Sequence, residues 1–540
     1  MPAATASNGM TVREATMDLI RDLGIDAVFG NPGSTELPFL GSWPNDIRYI
    51  LGLQEASVVA MADGYAQVTG NAAFVNLHSA AGVGHALGNI FTAFRNQTPM
   101  VITAGQQVRD LLLLHPFLFA EGAAEFPKPY VKWSCEPARA EAVPAALARA
   151  YYTAMQKPSG PTFVSIPSDD WSATTSPVKV RLVSRDVAPD PELLSKAGEA
   201  LNASARPVLV VGPEIDQNGA WDNFVALAEK ARAAVWTAPF SSRAGFPEDH
   251  PLFAGFLPAA PEPVSETLSA YDFILVLGAP VFTFHVPGTC ALFQSSIPIF
   301  QITDDPGAAA RAGVGTTIVA SMRLALPALL KMLEPTNRAA PTRRALPPPA
   351  DASDPIKAEF LMHTLSEVAH DSVLVEEAPS HRPALQRYWP MRTKGSFYTM
   401  ASGGLGWSLP ASVGVALANA SPRRVICLIG DGSAMYSIQG LWTAVQHQLP
   451  LTVVIINNRG YGAMRAFSMV MNVTNVPGID LPGLDFVKLA AGFGCHGVRV
   501  TETKELASTL REANSAQGPR LVEVCVDPAI PHLYEAALSE

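Results

Sequence analysis

The chain is 540 residues long, with 38 Lys and Arg against 48 Asp and Glu, a formal net charge of −10 and only 16% charged residues. At about 150 residues per domain the length predicts three or four domains; the 48% hydrophobic share excludes disorder for the bulk of the chain, and the acidic balance, with no basic stripe, excludes nucleic acid as the main partner. A surface so poor in charge predicts neutral patches covered by other subunits, and so an oligomer.

At the N-terminus no basic segment leads into an apolar one, so no secretory signal is expected. Thr11 and Glu14 stand at capping-box spacing, and Ala15, Leu19, Ile20 and Leu23 give the helix that follows an apolar face, ended by Gly24. IDAVFG reads as a short buried strand. Further strands are expected at AAFVNL (72–77), MVITAG (100–105) and PTFVSIP (161–167), with helices such as 55–68 between them. Beyond SRDVAPDPELL a second set runs PVLVVG (207–212), AAVWTA (233–238), FILVLG (273–278) and IPIFQIT (297–303). Its VVGPEI turn lacks the further glycines of a dinucleotide fingerprint. The Pro- and Ala-rich stretch 335–355, basic at its centre, reads as a linker. A third set follows: SVLVEE (372–377), VICLIG (425–430), LTVVIINN (451–458) and RLVEVCVD (520–527).

Short apolar strands alternating with helices predict an α/β fold of three doubly wound parallel sheets. The expected domains are 1–182, 183–340 and 357–540, with a linker at 341–356. No apolar run reaches ~18 residues, so no membrane span is expected. The five cysteines (Cys135, Cys290, Cys427, Cys495 and Cys525) are scattered without a C-x-x-C pair, which fits a reducing compartment; a cytoplasmic location is expected.

VICLIG runs straight into Asp431-Gly432-Ser433, and LTVVII ends in Asn457-Asn458. Both polar groups fall at the carboxyl ends of apolar strands, where open α/β sheets take ligands. A carboxylate, an amide oxygen and a nearby main-chain carbonyl suit Mg²⁺, which keeps its other positions for phosphate oxygens and water. The glycines around Asp431, Gly430 and Gly432, let the backbone approach a diphosphate. Ser433 reads as opening a helix whose N-terminus favours anions.

This spacing is the thiamine diphosphate motif, and the chain resembles the thiamine diphosphate enzyme superfamily. The resemblance implies three α/β domains, with thiamine diphosphate and Mg²⁺ held between the first and third. It implies Asp431, Asn458 and the Gly460 carbonyl as metal ligands, although Asn458-Arg459-Gly460 departs from the commoner N-G-T. Glu55, in L-Q-E-A before a helix carrying A-D-G-Y-A, matches the carboxylate that helps the cofactor shed its thiazolium proton. Leu405, after a Gly pair, matches the apolar wedge behind the bent cofactor. Cofactor contacts are further implied for Asn31, Pro32, Gly33, Ser380, Gly403, Ser433, Tyr436, Tyr461, Gly462 and Ala463. Pro379 stands where the family usually offers a hydroxyl. In the superfamily the glutamate and the metal aspartate come from different subunits, which implies an obligate dimer, often paired into a tetramer.

Three more polar side chains stand near expected strand ends: Ser34 in GNPGSTE, His78 after AAFVNL and His285 after FILVLGAPVFTF. With FGNPGSTELPFL, NLHSAAG, TAGQQ, GDGSAMYS and NVPGIDLPG they closely resemble the benzoylformate decarboxylase family over nearly the whole chain. That resemblance implies a small-molecule 2-keto acid substrate and non-oxidative decarboxylation of benzoylformate to benzaldehyde and CO₂. Ser34 would hold the substrate carboxylate, His78 protonate the alkoxide and His285 the enamine carbon. The implied pocket residues are Phe117, Leu118, Met464 and Phe467, of which Phe117 and Met464 are bulkier or longer than the Leu expected there. The alternatives are a decarboxylase of another aryl or branched 2-keto acid, a carboligase or lyase of the same superfamily, and a non-catalytic thiamine-binding paralogue. An acetolactate synthase or oxidase would need a flavin in the middle domain, for which no fingerprint is visible.

Overall fold

Thr11 caps the first helix, Val12–Asp22, with both halves of the capping box formed, and Gly24 follows at φ +68°. That left-handed residue turns the chain into the first sheet strand. The computed structural model describes residues 9–288, 297–419 and 423–529, so Cys290 lies outside the described residues. The chain forms two compact units. One runs to Arg185 and adds Ser402–Pro422 and Met435–Leu449; the other comprises Asp186–Ala401, Arg423–Ala434 and the chain from Pro450.

The first unit holds a six-stranded parallel sheet ordered Arg48–Leu51, Ala27–Gly30, Ala73–Leu77, Met100–Gln106, Pro161–Pro167, Ser134–Cys135. From Ala27–Gly30 the chain steps to one side, then crosses back to Ala73–Leu77 on the other. Such a switch point opens a crevice at the carboxyl ends of the two strands. Asn31 to Ser34 follow one of them and His78 the other. Helix Glu55–Thr69 packs against helix Ser408–Ala418 of the same unit. The two backbones touch: a Cβ on Gly64 would lie 2.1 Å from the Ala411 carbonyl oxygen, and one on Gly414 1.8 Å from that of Met61. Part of the sparse charge is thereby explained inside the chain, by helices covered on nearly all sides.

The second unit holds two parallel six-stranded sheets. One is ordered Phe397–Thr399, Val373–Glu377, Val425–Gly430, Leu451–Asn457, Arg520–Cys525, His496–Val500, repeating the strand order of the first unit. Its switch point lies between Val373–Glu377 and Val425–Gly430. The other is ordered Phe253–Phe256, Ala234–Thr237, Pro207–Val211, Phe273–Leu277, Ile299–Thr303, Thr316–Val319. This is the strand order of dinucleotide-binding folds, but its switch-point crevice is filled by the protein. A Cβ on Gly212 would lie 2.1 Å from the Gly278 carbonyl oxygen. Glu214 closes the same place, accepting from Thr303 Oγ1 at 2.5 Å and from the Asp304 N–H at 2.9 Å.

The fold is therefore the expected α/β arrangement of doubly wound parallel sheets. Edge strands Phe253–Phe256, Thr316–Val319 and His496–Val500 had no sequence signal because only part of each is buried, which leaves no continuous apolar run. The stretch 335–355 contains no helix or strand. It is strapped down near its start: Arg338 donates to the Ala231 and Asn202 carbonyls at 2.8 Å each and to that of Leu201, at two helix C-terminal ends where a cation is favoured. Among the described residues no helix is long and apolar enough to cross a membrane.

Candidate functional site

In the first unit, strand Ala27–Gly30 ends in Asn31-Pro32-Gly33 and a 3-10 turn, Ser34–Glu36. Gly33 packs on the His78 ring so closely that a Cβ would lie 2.0 Å from Nδ1. Exposed Ser34 is the next residue. His78 Nδ1 lies 2.8 Å from Glu36 Oε2 and 3.2 Å from Thr35 Oγ1. Thr35 already donates its proton to Glu36 Oε1 at 2.7 Å, so toward the ring it offers only lone pairs. Nδ1 therefore carries the ring proton and donates it to the carboxylate, which leaves Nε2 as the working nitrogen. Glu36 is 1% exposed and is fixed in turn by the Gly105 N–H at 2.9 Å.

Glu55 opens helix Glu55–Thr69, where the Gln54 side chain caps the Ser57 N–H at 3.2 Å. The residue is 8% exposed; Oε1 accepts from Asn31 Nδ2 at 3.3 Å, and Oε2 lies 3.1 Å from His85 Nδ1. Helix Ser79–Arg95 and its cap residue bring His78, Gly82, His85 and Asn89 to one face at i, i+4, i+7 and i+11 spacing. Gly82 allows the approach, since a Cβ there would meet Glu55 Cγ at 3.3 Å. Asn31, Glu55, Gly82, His78 and Gly33 are thus neighbours, with Ser34 next in the chain. Leu118 is tied in through its carbonyl, which accepts from Ser79 Oγ at 2.8 Å beside His78. Phe117 next to it is 87% exposed in this chain.

Leu405 lies half-buried in a segment held from both sides. Gly403 sits at φ +75° and Gly406 at φ +96°, where a Cβ would strike that of Tyr436 at 2.6 Å. Trp407 Nε1 donates to Asp63 Oδ2 at 2.8 Å, and Ser402 Oγ meets Thr92 Oγ1 at 2.8 Å. Burial pushes the Asp63 carboxyl up, against the donors Thr98, Gln67, Trp407 and Asn96 that surround it.

In the second unit Asp431 follows strand Val425–Gly430, Asn458 follows Leu451–Asn457, and Ser380 follows Val373–Glu377. Asp431 is 2% exposed; its two oxygens accept from the Gly432 N–H at 2.8 Å and the Gly460 N–H at 2.9 Å. Burial pushes its carboxyl above the usual range, against the Gly432 and Gly460 N–H groups and the charge of Arg465. Gly462 packs so tightly that a Cβ would lie 2.6 Å from Asn458 Nδ2 and 2.9 Å from Ser380 Oγ; one on Gly432 would lie 2.4 Å from the Tyr461 ring. Ala463 and Met464 continue the helix Gly462–Val470. The two asparagines divide the work: Asn457 donates to Glu523 Oε1 on the neighbouring strand at 2.7 Å, while Asn458 is buried beside Asp431's loop. A buried carboxylate, a buried amide and backbone freed of side chains fit Mg²⁺ and a diphosphate. One expectation is corrected: Ser433 does not open a helix, because the single turn Asp431–Ala434 begins at Asp431 itself.

His285 also lies in this unit, its N–H bonded to the Ala259 carbonyl at 2.9 Å. Its ring stands edge-on to Phe240 and Phe467, with centroids 5.8 and 4.9 Å away. Sequence reasoning missed Glu36, His85 and Phe240. The first two had a signal: Glu36 is the carboxylate of the GSTE turn, and His85 lies two helical turns after His78.

Three family models of thiamine pyrophosphate enzymes match the chain: the N-terminal TPP-binding domain over residues 10–120, the central domain over 194–329 and the C-terminal TPP-binding domain over 378–524. The chain is 45% identical over 523 residues to benzoylformate decarboxylase of Pseudomonas aeruginosa, covering 95% of this chain and 98% of that protein. It is similar to the crystal structure of benzoylformate decarboxylase from Polynucleobacter necessarius, with TM-score 0.94, 41% identity and coverage of 96% and 99%. A 4-hydroxybenzoylformate decarboxylase of Rhodococcus jostii matches with TM-score 0.92, 41% identity and the same coverage.

Proposed function

Because the chain belongs to the thiamine diphosphate enzymes and is a carboxy-lyase of 2-keto acids that uses thiamine diphosphate with Mg²⁺, we propose that its substrate is benzoylformate, converted with one proton to benzaldehyde and CO₂. The observation that carries the aryl assignment is the aromatic flank of His285, formed by Phe240 and Phe467. The benzoylformate and 4-hydroxybenzoylformate decarboxylases among the relatives support it.

Asp431, Asn458 and the Gly460 carbonyl hold the metal in this reading, with Ser380, Gly430, Gly432, Ser433, Tyr461, Gly462 and Ala463 around the diphosphate. Asn31, Pro32, Gly33, Gly403, Leu405 and Tyr436 complete the cofactor's surroundings, and Glu55 exchanges a proton with its pyrimidine. When bound, thiamine diphosphate supplies a carbon nucleophile and accepts the electron pair that the departing CO₂ leaves. Ser34 Oγ holds the substrate carboxylate. His78, fixed through Glu36, presents Nε2 to the oxygen of the former keto group and protonates it as negative charge develops there. His285 delivers the proton to the carbon that has lost CO₂. Apolar walls from Leu118, Phe467, Met464 and Phe117 receive the phenyl ring and keep water from the charged carboxylate.

Glu55 of one chain and Asp431 of another complete each site, in an obligate dimer that pairs into a tetramer. Among the alternatives, a flavin-dependent carboligase is disfavoured by the middle sheet, whose switch-point crevice Gly212, Gly278 and Glu214 occupy. Ser34→Ala and His78→Ala each lower kcat/KM for benzoylformate ~100-fold or more and leave thiamine diphosphate affinity at the wild-type value. Steady-state kinetics with calorimetric cofactor titration checks this, and full activity in either variant contradicts it.

A further inference from the structure

Ser79 follows His78 and opens helix Ser79–Arg95 with φ at +49°, in the left-handed region. Its Oγ donates to the Leu118 carbonyl at 2.8 Å, and Leu118 itself stands at φ +67°. That conformation is costly for any residue with a Cβ, and a bulky leucine adopts it rarely. Two such residues face each other across one hydrogen bond, and backbone strain of this kind persists only where the surroundings enforce it. His115, three residues before Leu118, is left-handed as well, at φ +47°, so the chain bends on both sides of Phe117. Ser79 is 2% exposed, and the bond that it makes lies within one unit of the chain.

Side chains of two origins hold this segment. Gln106 brackets Ala120, donating to its carbonyl at 2.8 Å and accepting its N–H at 3.1 Å, and Gln107 donates to the Phe117 carbonyl at 2.6 Å. Both stand at the end of strand Met100–Gln106 and tie the segment to the sheet. Ser79 ties it instead to the residue beside His78, whose ring is in turn held by Glu36.

We propose that Ser79 is a specificity-determining residue, whose hydroxyl sets the distance between the His78 ring and the pocket wall at Leu118. This rests on the function proposed above, in which His78 faces the keto oxygen and Leu118 the ring of the substrate. A hydroxyl one residue from His78, bonded to the carbonyl of the wall residue, lets neither shift without the other. A wall held at fixed depth admits a flat aryl ring and excludes a branched alkyl group, which is thicker. Selection then comes from steric exclusion and not from an added attraction. Ser79 acts through Leu118 and His78, so it is a positioning residue and not a catalytic one.

Two variants test it in the protein loaded with thiamine diphosphate and Mg²⁺. Ser79→Ala removes the hydroxyl and keeps a Cβ, whereas Ser79→Gly removes the hydroxyl and adopts a positive φ freely, so it tests the bond without backbone strain. Amide hydrogen exchange over residues 115–122, followed by mass spectrometry, is expected to quicken ~10-fold in both; exchange at the wild-type rate in either overturns the clamp. The second readout is the ratio of kcat/KM for benzoylformate to that for 3-methyl-2-oxobutanoate. It is expected to fall ~10-fold in each variant, mostly through KM. A general weakening of the fold would lower kcat for both acids alike and leave the ratio unchanged, and an unchanged ratio overturns the proposal. If the wild type turns over neither acid, the substrate assignment falls by itself. The ratio is then read from the calorimetric affinities of mandelate and 2-hydroxy-3-methylbutanoate, unreactive acids of the same two shapes. A ~10-fold fall in that ratio keeps the inference; no change, or no binding of either acid, overturns it.

Discussion

At the scale of single residues, the site divides into parts that a linear reading can see and parts that it cannot. Asp431, Asn458 and Glu55 are legible because each stands at the end of an apolar run or the start of a helix, and local order alone puts them at strand ends. Glu36 and His85 are harder to see, because their meaning lies in partners 42 and 30 residues away. Asp63 looks like one more helix acid until Trp407, 344 residues on, donates to it. Asp431 gives the sharpest residue-level prediction. Asp431→Ala weakens Mg²⁺-dependent retention of thiamine diphosphate ~100-fold or more, with the far-UV spectrum unchanged; wild-type retention by calorimetry would contradict the assigned metal site.

Among the elements, central strands and the capped first helix were readable, and the edge strands were not, since partial burial breaks up their apolar pattern. The tight crossing of helices at Gly64 and Gly414 was equally hidden, because contact between two glycine-bearing helices leaves no periodic mark. Glu248, between two strands of the middle sheet, is bonded to the segment that precedes strand Phe397–Thr399 of the last sheet. Its backbone N–H donates to the Met391 carbonyl at 2.9 Å, and its Oε2 accepts the Met391 N–H at 2.8 Å. Burial pushes this carboxyl up to about 8 from an ordinary 4.5, partly offset by the Met391 N–H and by the charges of Arg344 and Arg382. The native state therefore keeps a proton that the unfolded chain has released, so this group's contribution to stability falls as pH rises from about 4.5 to about 8 and levels off above. Thermal melts are expected to show that decline in wild type and a flatter profile in Glu248→Gln, where the neutral amide has no proton to lose. Parallel profiles would refute the assignment.

For the whole molecule, sparse charge predicts subunit interfaces. Fully covered helices inside the chain account for part of it, and the proposed dimer for the rest. Mixing Glu55→Gln chains with Asp431→Ala chains tests that dimer. If each site draws one residue from each chain, half of the dimers in an equal mixture have one intact site, and activity returns to about a quarter of wild type. If each chain completes its own site, the mixture stays inactive. The claim on which everything else depends is the chemistry itself. The most direct measurement is product analysis of the purified protein loaded with thiamine diphosphate and Mg²⁺, across benzoylformate, 4-hydroxybenzoylformate, phenylpyruvate and a branched aliphatic 2-keto acid. Benzoylformate is expected to give benzaldehyde and CO₂ in equal amounts at the highest kcat/KM of the set. No turnover of either aryl glyoxylate with the cofactor bound, or a preference for the aliphatic acid, would contradict the account.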